Sequence, residues 1–336
     1  MFEKLEELAK NNKKISDFHI RTGWPLAYRQ TGEIHKIPDV LIKAQDLQDL
    51  LSTNCNEIEL KRFQDTHELD SSVTLSGLRF RANFYKTIQG PAAVLRRVES
   101  VIPTMDQFDL PPVLYDIIDM HKGLVLVTGP TGSGKSTTLA AIVNEINKTR
   151  TANIITVEDP VEFIHKDIKS IVSHREVGKQ TQTFASALKA ALREDPDVIL
   201  VGELRDIETI GMALTAAETG HLVFGTLHTS GAPNTINRII DVFPHEQQTQ
   251  IQAQLAESLQ MVVTQKLFKT VDGNSRIGAF EVMFCNSPIK NLIREKKIHQ
   301  IPSIMQTGQR DGMITMEKSI ENLVNSGKIS NIDAKK

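Results

Sequence analysis

The chain has 336 residues, 40% of them hydrophobic and 24% charged, which is ordinary for a globular protein with room for two domains. Its 39 Lys and Arg residues nearly balance its 41 Asp and Glu residues, so the net charge of −2 gives no overall indication of a nucleic-acid binder. The two cysteines, Cys55 and Cys285, form no C-x-x-C pair, and the sequence therefore indicates neither a zinc site nor a disulfide framework.

The N-terminal residues 1–14 are charged and amphipathic, unlike a secretion leader. No stretch of the sequence approaches the roughly 18 apolar residues of a membrane span. We therefore expect a cytoplasmic protein with no integral membrane segment, which only a partner would hold at a membrane.

Short strand-like and helical runs alternate over the first hundred residues. We predict strands at residues 18–21, 27–30 and 78–84 and a helix over 44–51, which together indicate a small α/β domain over residues 1–99. Residues 100–112 contain Pro103, Pro111 and Pro112 with little periodicity, as a linker or hinge does. A second domain is then expected over residues 113–336.

Continuous apolar runs separated by helical stretches follow this segment. The runs 124–127, 153–157, 198–201 and 222–226 show no polar alternation, which predicts a parallel sheet covered on both faces. Residues 207–218 carry apolar side chains on one helical face, and Gly220 ends that helix. Further strands are predicted at 263–269 and 277–282, before a mostly helical region with helices at 288–296 and 316–326.

Residues 129–136 read GPTGSGKS and fit the phosphate-loop pattern G-x-x-x-x-G-K-[ST], between an apolar strand and a helix-forming run at 137–146. Glycine at three loop positions lets backbone N–H groups turn inward and favours bound anions. Lys135 can then reach the β and γ phosphates, and the Ser136 hydroxyl can ligate Mg²⁺. The predicted nucleotide-binding residues are Gly129, Pro130, Thr131, Gly132, Ser133, Gly134, Lys135, Ser136 and Thr137.

Two glutamates follow buried strands at the edge where parallel sheets bind ligands. Glu203 follows the third strand as a Walker B acid does, where it can hold the Mg²⁺ hydration shell or orient the attacking water, and Gly202 is expected to leave it room. Glu158 follows the second strand and is the other candidate general base. Asp195 and Asp197 precede the third strand and so lie at the wrong edge.

Two histidines flank the fourth apolar strand. His228 ends it and is a candidate catalytic residue, because it could donate a hydrogen bond to the γ phosphate. His221 begins the strand at the opposite edge, where a structural role is expected.

Four motifs in order resemble the secretion and type IV pilus ATPase superfamily, and within it the pilus retraction ATPases: GPTGSGKSTTLAA, ITVEDPVEF, ALREDPDVILVGELRD and TAAETGHLVFGTLHT. The resemblance covers nearly the whole chain. It implies a RecA-like P-loop ATPase domain with a mostly parallel sheet, preceded by a small PAS-like α/β domain. It also implies a homohexamer that binds ATP and Mg²⁺ between its domains, with hinge motion at residues 100–112.

The resemblance also implies roles for individual residues. His221 joins His228 in the family's histidine box and would bind nucleotide, against the strand-end argument above. Arg81 and Arg96 resemble arginines that reach towards the nucleotide, although arginines there fit a solvated strand face equally well. Residues 287–295 resemble the A-I-R-N-L-I-R-E motif of retraction ATPases, with Pro288 in place of Ala and Lys290 in place of Arg.

We expect from this resemblance a Mg-dependent ATPase that powers pilus retraction and twitching motility, at the inner-membrane base of the pilus machine, with a membrane platform protein as partner. The chain lacks the four-cysteine insertion that is usual in assembly and secretion ATPases. Three alternatives stay open: a nucleotide-gated binding switch, a DNA translocase, and the ATPase of a related secretion or DNA-uptake machine. Near-zero net charge argues against direct nucleic-acid binding.

Overall fold

The structure, a computed structural model, describes residues 1–12, 14–98, 101–273 and 275–332. The chain forms two compact units. Unit 1 consists of residues 1–101 together with 159–164 and 176–180, and unit 2 consists of residues 102–158, 165–175 and 181–336. Within the described residues, no helix is long and apolar enough to cross a membrane.

Unit 1 contains a six-stranded antiparallel sheet with the strand order β3-β2-β1-β6-β5-β4. Side chains alternate across the sheet: in β5, Phe80, Ala82 and Phe84 are buried whereas Arg81 and Asn83 are exposed. The elements of unit 1 are α1 Phe2–Asn11, β1 Ile15–Arg21, β2 Pro25–Gln30, β3 Glu33–Leu41, α2 Ala44–Asn54, α3 Glu57–Thr66, β4 Glu68–Leu75, β5 Leu78–Thr87 and β6 Gly90–Arg97.

A buried carboxylate, Glu176, ties the two later segments into unit 1. Its Oε2 accepts hydrogen bonds from Arg79 Nη2 at 2.9 Å and from the Val161 backbone N–H at 3.1 Å. Its Oε1 accepts from Ser72 Oγ at 2.9 Å and lies 3.5 Å from Lys179 Nζ. Buried charges need such partners, so these contacts explain why residues 159–164 and 176–180 belong to unit 1.

Two buried side chains anchor the predicted linker at 100–112 to unit 2. From Ile102 the chain belongs to unit 2, and Met105 and Leu110 are buried in its hydrophobic core. A short 3₁₀ helix, Asp106–Phe108, lies between them. Packing therefore restricts the part of this segment that could serve as a hinge, and the hinge role stays a prediction. Ser100 lies outside the described residues.

Unit 2 contains a seven-stranded sheet with the strand order β13-β12-β7-β11-β10-β8-β9. Neighbouring strands from β12 through β8 are all parallel, and β13 pairs antiparallel with β12, so the predicted mostly parallel sheet is confirmed. The strands are β7 Gly123–Thr128, β8 Asn153–Glu158, β9 Ile171–Glu176, β10 Val198–Val201, β11 Leu222–Leu227, β12 Leu259–Lys269 and β13 Arg276–Phe284.

Helices cover the central strands of this sheet. Every residue of β7 and β11 is buried, as expected for strands packed on both faces, and α4 and α6 pack against them. Arg150 Nη1 donates to the carbonyl of Met120 at 2.7 Å and fastens the end of α4 to the 3₁₀ helix Pro112–Asp119. The helices are α4 Lys135–Thr149, α5 Phe184–Ala191, α6 Ile207–Glu218, α7 Ala232–Asp241, α8 His245–Ser258, α9 Ser287–Arg294, α10 Ile301–Thr307 and α11 Met316–Asn325.

Candidate active site

Strand register in unit 2 brings the predicted site residues to one edge of the sheet. Val201 of β10 pairs with Val157 of β8 on one side and with Gly225 of β11 on the other. Leu227, the last residue of β11, pairs with Thr128, the last residue of β7. Because these strands are parallel, the residues that follow them share the carboxyl edge.

The phosphate loop connects β7 to α4. Gly129, Gly132 and Gly134 have φ angles of 140°, 77° and 90°, a region that side chains with a Cβ rarely occupy. A Cβ at Gly129 would also lie 2.3 Å from the backbone oxygen of Gln265. Gly134 is the N-cap of α4, so the loop ends at the start of a 15-residue helix, where the helix dipole favours anions.

The Lys135 ammonium lies within the phosphate loop. Its Nζ donates to the carbonyl oxygens of Gly129 at 2.9 Å and Pro130 at 3.1 Å, and it lies 3.4 Å from Nδ1 of His228. The side chain is buried, with 8% of its surface exposed. A buried ammonium bound by neutral carbonyls is well placed to exchange them for phosphate oxygens.

His228 joins the phosphate loop to Glu203. Its Nδ1 lies 3.4 Å from the Thr131 hydroxyl, and its Nε2 lies 3.3 Å from Oε1 of Glu203. The other carboxylate oxygen of Glu203 is 2.6 Å from Nη2 of Arg205. One histidine therefore contacts both the phosphate loop and the Walker B carboxylate.

Glu203 is held in its charged form. Burial alone would raise its pKa, but the hydrogen bond and charge of Arg205, helped by His228, outweigh burial and lower the pKa below the usual glutamate range. The ionised carboxylate can accept hydrogen bonds from water or bind a cation's hydration shell.

Glu158 lies beside Gly202, at the end of the neighbouring strand. A Cβ on Gly202 would be 3.2 Å from the Glu158 Cα and 3.3 Å from the Val157 carbonyl oxygen. Gly202 was expected to make room for Glu203, but the observed close approach is to the backbone around Glu158. The glycine therefore allows β8 and β10 to bring their two acids close together.

Three other predicted residues lie elsewhere. His221 is at the amino end of β11, where its Nδ1 lies 2.9 Å from the Ala216 carbonyl at the end of α6, about 20 Å of strand away from His228. This is the edge of the sheet expected from the strand, and the nucleotide-binding role implied by the resemblance stays a prediction. Arg81 and Arg96 belong to unit 1, where they face each other across β5 and β6, and Arg96 binds Asp17 at 2.8 Å.

The weaker acidic candidates lie at the amino edge, as expected. Asp197 precedes β10, and its Oδ2 accepts a hydrogen bond from the Asn153 backbone at 2.8 Å. Asp195 lies two residues earlier, with a φ of 52°. Neither follows a strand at the phosphate-loop edge.

Gln265 of β12 is a contact of the phosphate loop that no sequence motif indicated. It is fully buried, and its amide binds the Ser133 carbonyl and the Thr138 hydroxyl. The only signal in the sequence was a glutamine within the apolar run VVTQKLF, which is unusual for a strand packed on both faces.

The loop fits a triphosphate with its Mg²⁺. The hydroxyl of Ser133 is buried and has no hydrogen-bond partner in the part of the chain that the structure describes, although buried polar groups are normally paired. Gly129, Gly132 and Gly134 leave three positions of the loop without a Cβ, and a long helix begins at its end. No cluster of three or more His, Cys, Asp or Glu residues suited to a metal ion occurs among the described residues.

A phosphate loop faced by an acid and a histidine at the carboxyl edge of a mostly parallel sheet defines a P-loop nucleotide-binding protein. The sequence matches the family described as Type II/IV secretion system protein over residues 8–327, and the chain belongs to this family. The assignment to the secretion and type IV pilus ATPase superfamily is thereby confirmed.

Individual relatives agree with this family over nearly the whole chain. A twitching motility protein of Neisseria gonorrhoeae is 48% identical over 313 residues, which cover 91% of this chain and 84% of that protein. The type IV pilus retractation ATPase PilT of Pseudomonas aeruginosa is 45% identical over 321 residues, covering 95% and 93%. A crystal structure of the pilus retraction motor PilT with bound ADP has a TM-score of 0.90 at 43% identity, covering 99% of this chain and 95% of that one, which confirms the predicted fold class.

Proposed function

We propose that this chain is a Mg-dependent ATP hydrolase that powers the retraction of type IV pili. The observation that best supports the hydrolase activity is that His228 contacts both Lys135 and Glu203 at one edge of the sheet. The retraction function is supported by similarity to retraction ATPases that extends over at least nine-tenths of this chain. A partial match to the ATPase core alone would not favour retraction over assembly.

ATP binding would replace the internal partners of Lys135. Its ammonium exchanges the carbonyl oxygens of Gly129 and Pro130 for β and γ phosphate oxygens, which are stronger, charge-assisted acceptors. The backbone N–H groups of the loop and the start of α4 add further positive potential. Ser136 and Glu203 would hold Mg²⁺, which would neutralise negative charge on the phosphates.

Water attacks the γ phosphorus of ATP, and ADP leaves. A carboxylate orients this water and receives its proton. Glu203 is ionised and contacts His228, so it is suited to hold the water or the metal hydration shell. Glu158 ends the adjacent strand and is the other acid within reach of the same edge. His228 can report the presence of the γ phosphate because it contacts both the loop and Glu203.

The working machine would be a homohexamer on the cytoplasmic face of the inner membrane, bound to a membrane platform protein. The chain forms no membrane-spanning helix within its described residues, so a partner would have to connect it to the pilus. Arg81 and Arg96 carry positive charge on the exposed face of unit 1, and the nucleotide-binding role that the resemblance implies for them is part of this proposal.

Steady-state phosphate release tests the hydrolase. We expect Glu203→Gln to lower turnover by about a hundredfold or more, because an amide neither accepts a proton nor attracts a cation. Asp197→Asn is the matched control, since Asp197 lies at the opposite end of the same strand. Near-wild-type turnover by Glu203→Gln would remove this residue from the mechanism, and a Glu158→Gln variant measured in parallel identifies which acid dominates.

Deleting the gene and observing pili tests the retraction function. Persistent fibres that no longer retract are expected, and the Glu203→Gln protein should fail to restore retraction. Loss of fibres would instead indicate an assembly ATPase. Normal, retracting fibres combined with a defect in secretion or DNA uptake would assign the protein to another machine.

A further inference from the structure

The side chain of Gln265 is held beneath the phosphate loop by the register of β12. This strand runs parallel to β7, and Thr264 pairs with Thr128, with their hydroxyl oxygens 3.0 Å apart. The next residue, Gln265, is therefore level with Gly129, where the loop begins. Its exposed surface is 0%, so its amide has only protein partners.

Both ends of the Gln265 amide are hydrogen-bonded to the nucleotide-binding segment. Its Nε2 donates to the Ser133 carbonyl at 2.6 Å, and its Oε1 accepts from the Thr138 hydroxyl at 2.8 Å. The amide orientation is fixed chemically, because a carbonyl oxygen can only accept and the Ser133 carbonyl therefore requires the NH₂ group. One side chain thus bridges the loop and the first turn of α4.

The same residue fills the space that two loop glycines leave open. A Cβ at Gly134 would lie 2.8 Å from Nε2 of Gln265, and a Cβ at Gly129 would lie 2.3 Å from its backbone oxygen. Both glycines also have positive φ angles. Glycine is therefore favoured at these positions for two reasons, the close approach of Gln265 and the backbone conformation.

Holding the Ser133 carbonyl also fixes the next peptide N–H. In a planar trans peptide, the C=O of Ser133 and the N–H of Gly134 point in opposite directions. Because the carbonyl points at Gln265, the Gly134 N–H points away from it. The native loop has already lost this conformational freedom on folding. A loop without the restraint would lose it only when phosphate binds, and this entropy cost would weaken binding.

We propose that Gln265 is a positioning residue that preorganises the phosphate loop for nucleotide. It touches the loop and not the substrate, so its removal should weaken nucleotide binding without removing a chemical group from the reaction. This inference rests on the proposed binding of ATP at the same loop.

The test compares three variants of the full chain with the wild type. Gln265→Met keeps the length of the side chain and removes both hydrogen bonds, whereas Thr138→Val removes only the bond to Oε1. Gln252→Met is the matched control, because Gln252 is also a buried glutamine, but it lies in α8 and its Oε1 has no partner among the described residues. ADP affinity, KM and kcat for ATP and the urea unfolding midpoint are measured for each.

We expect Gln265→Met to bind ADP about tenfold more weakly and to raise KM for ATP by a similar factor, whereas kcat should change less than about threefold. This pattern is typical of a variant that has lost binding energy common to the ground state and the transition state. Thr138→Val should weaken ADP binding about threefold, and Gln252→Met should bind ADP like the wild type. Wild-type ADP affinity in Gln265→Met would overturn the inference. If that variant does not fold, unchanged affinity in Thr138→Val overturns it. Failure of the wild type to bind ADP would instead overturn the proposed function.

Discussion

Acidification should destabilise unit 2 through one buried histidine, His165. Its ring is stacked on His174 with centroids 5.7 Å apart, and burial, together with the nearby His174, lowers the pKa of His165 from 6.5 to about 4. Between these two values the unfolded chain binds a proton that the folded chain does not, so stability falls as the pH falls through this window. From the two pKa values, His165 alone should cost about 2 kcal/mol between pH 7 and pH 5.

Urea unfolding followed by circular dichroism at pH 7 and pH 5 measures this effect. His165→Phe keeps a ring for the stack and loses the titration, and Nδ1 of His165 has no hydrogen-bond partner among the described residues that the change would break. The variant should therefore lose about 2 kcal/mol less than the wild type between the two pH values. Titrating groups away from this stack are common to both proteins and cancel. His245→Gln, at an exposed position, should behave like the wild type. Equal pH dependence in wild type and His165→Phe would refute the reasoning.

Three further predictions concern the site edge and unit 1. Gly202→Ala should lower ATP turnover about tenfold with a small loss of stability, because the added methyl group would contact the backbone of Glu158 too closely. Unchanged kinetics would show that the position of this backbone is not critical. Arg205→Ala should raise the pKa of Glu203 and so move the acid limb of the pH–rate profile to higher pH. The shift should be smaller at high salt, because Arg205 is exposed and salt screens its charge. An acid limb that does not move would mean that Glu203 does not control it. Glu176→Gln should lower the free energy of unfolding by about 3 kcal/mol, because it leaves the half-buried cations Arg79 and Lys179 without their anion. A change under about 1 kcal/mol would show that Glu176 contributes little.

The sheet of unit 2 and the residues at its carboxyl edge could be predicted because the relevant signals are local. Apolar runs without alternation predicted β7, β8, β10 and β11. Glu158 ends β8, and Glu203 and His228 follow β10 and β11, so parallel pairing brings these polar residues to one edge. The strand argument also placed His221 at the amino edge, where the structure has it. The nucleotide-binding role that the family resemblance implies for His221 stays a prediction.

The remaining features depend on contacts between distant parts of the sequence. Gln265 reaches the phosphate loop because β12 pairs with β7, although 132 residues separate it from Ser133. Strands β3, β4, β6 and β9 and helices α1, α3, α5, α7, α8 and α10 were not predicted. The ion cluster of Glu176 joins side chains that are up to 107 residues apart, and no spacing rule connects them.

The discontinuous composition of unit 1 limits how this protein can be dissected. A fragment that ends at Val101 would lack residues 159–164 and 176–180, and its Arg79 would have no Glu176 to bind. Chimeras between this chain and a relative should therefore exchange all three segments of unit 1 together. A swap made at a single junction would combine the first hundred residues of one protein with anchoring segments from the other.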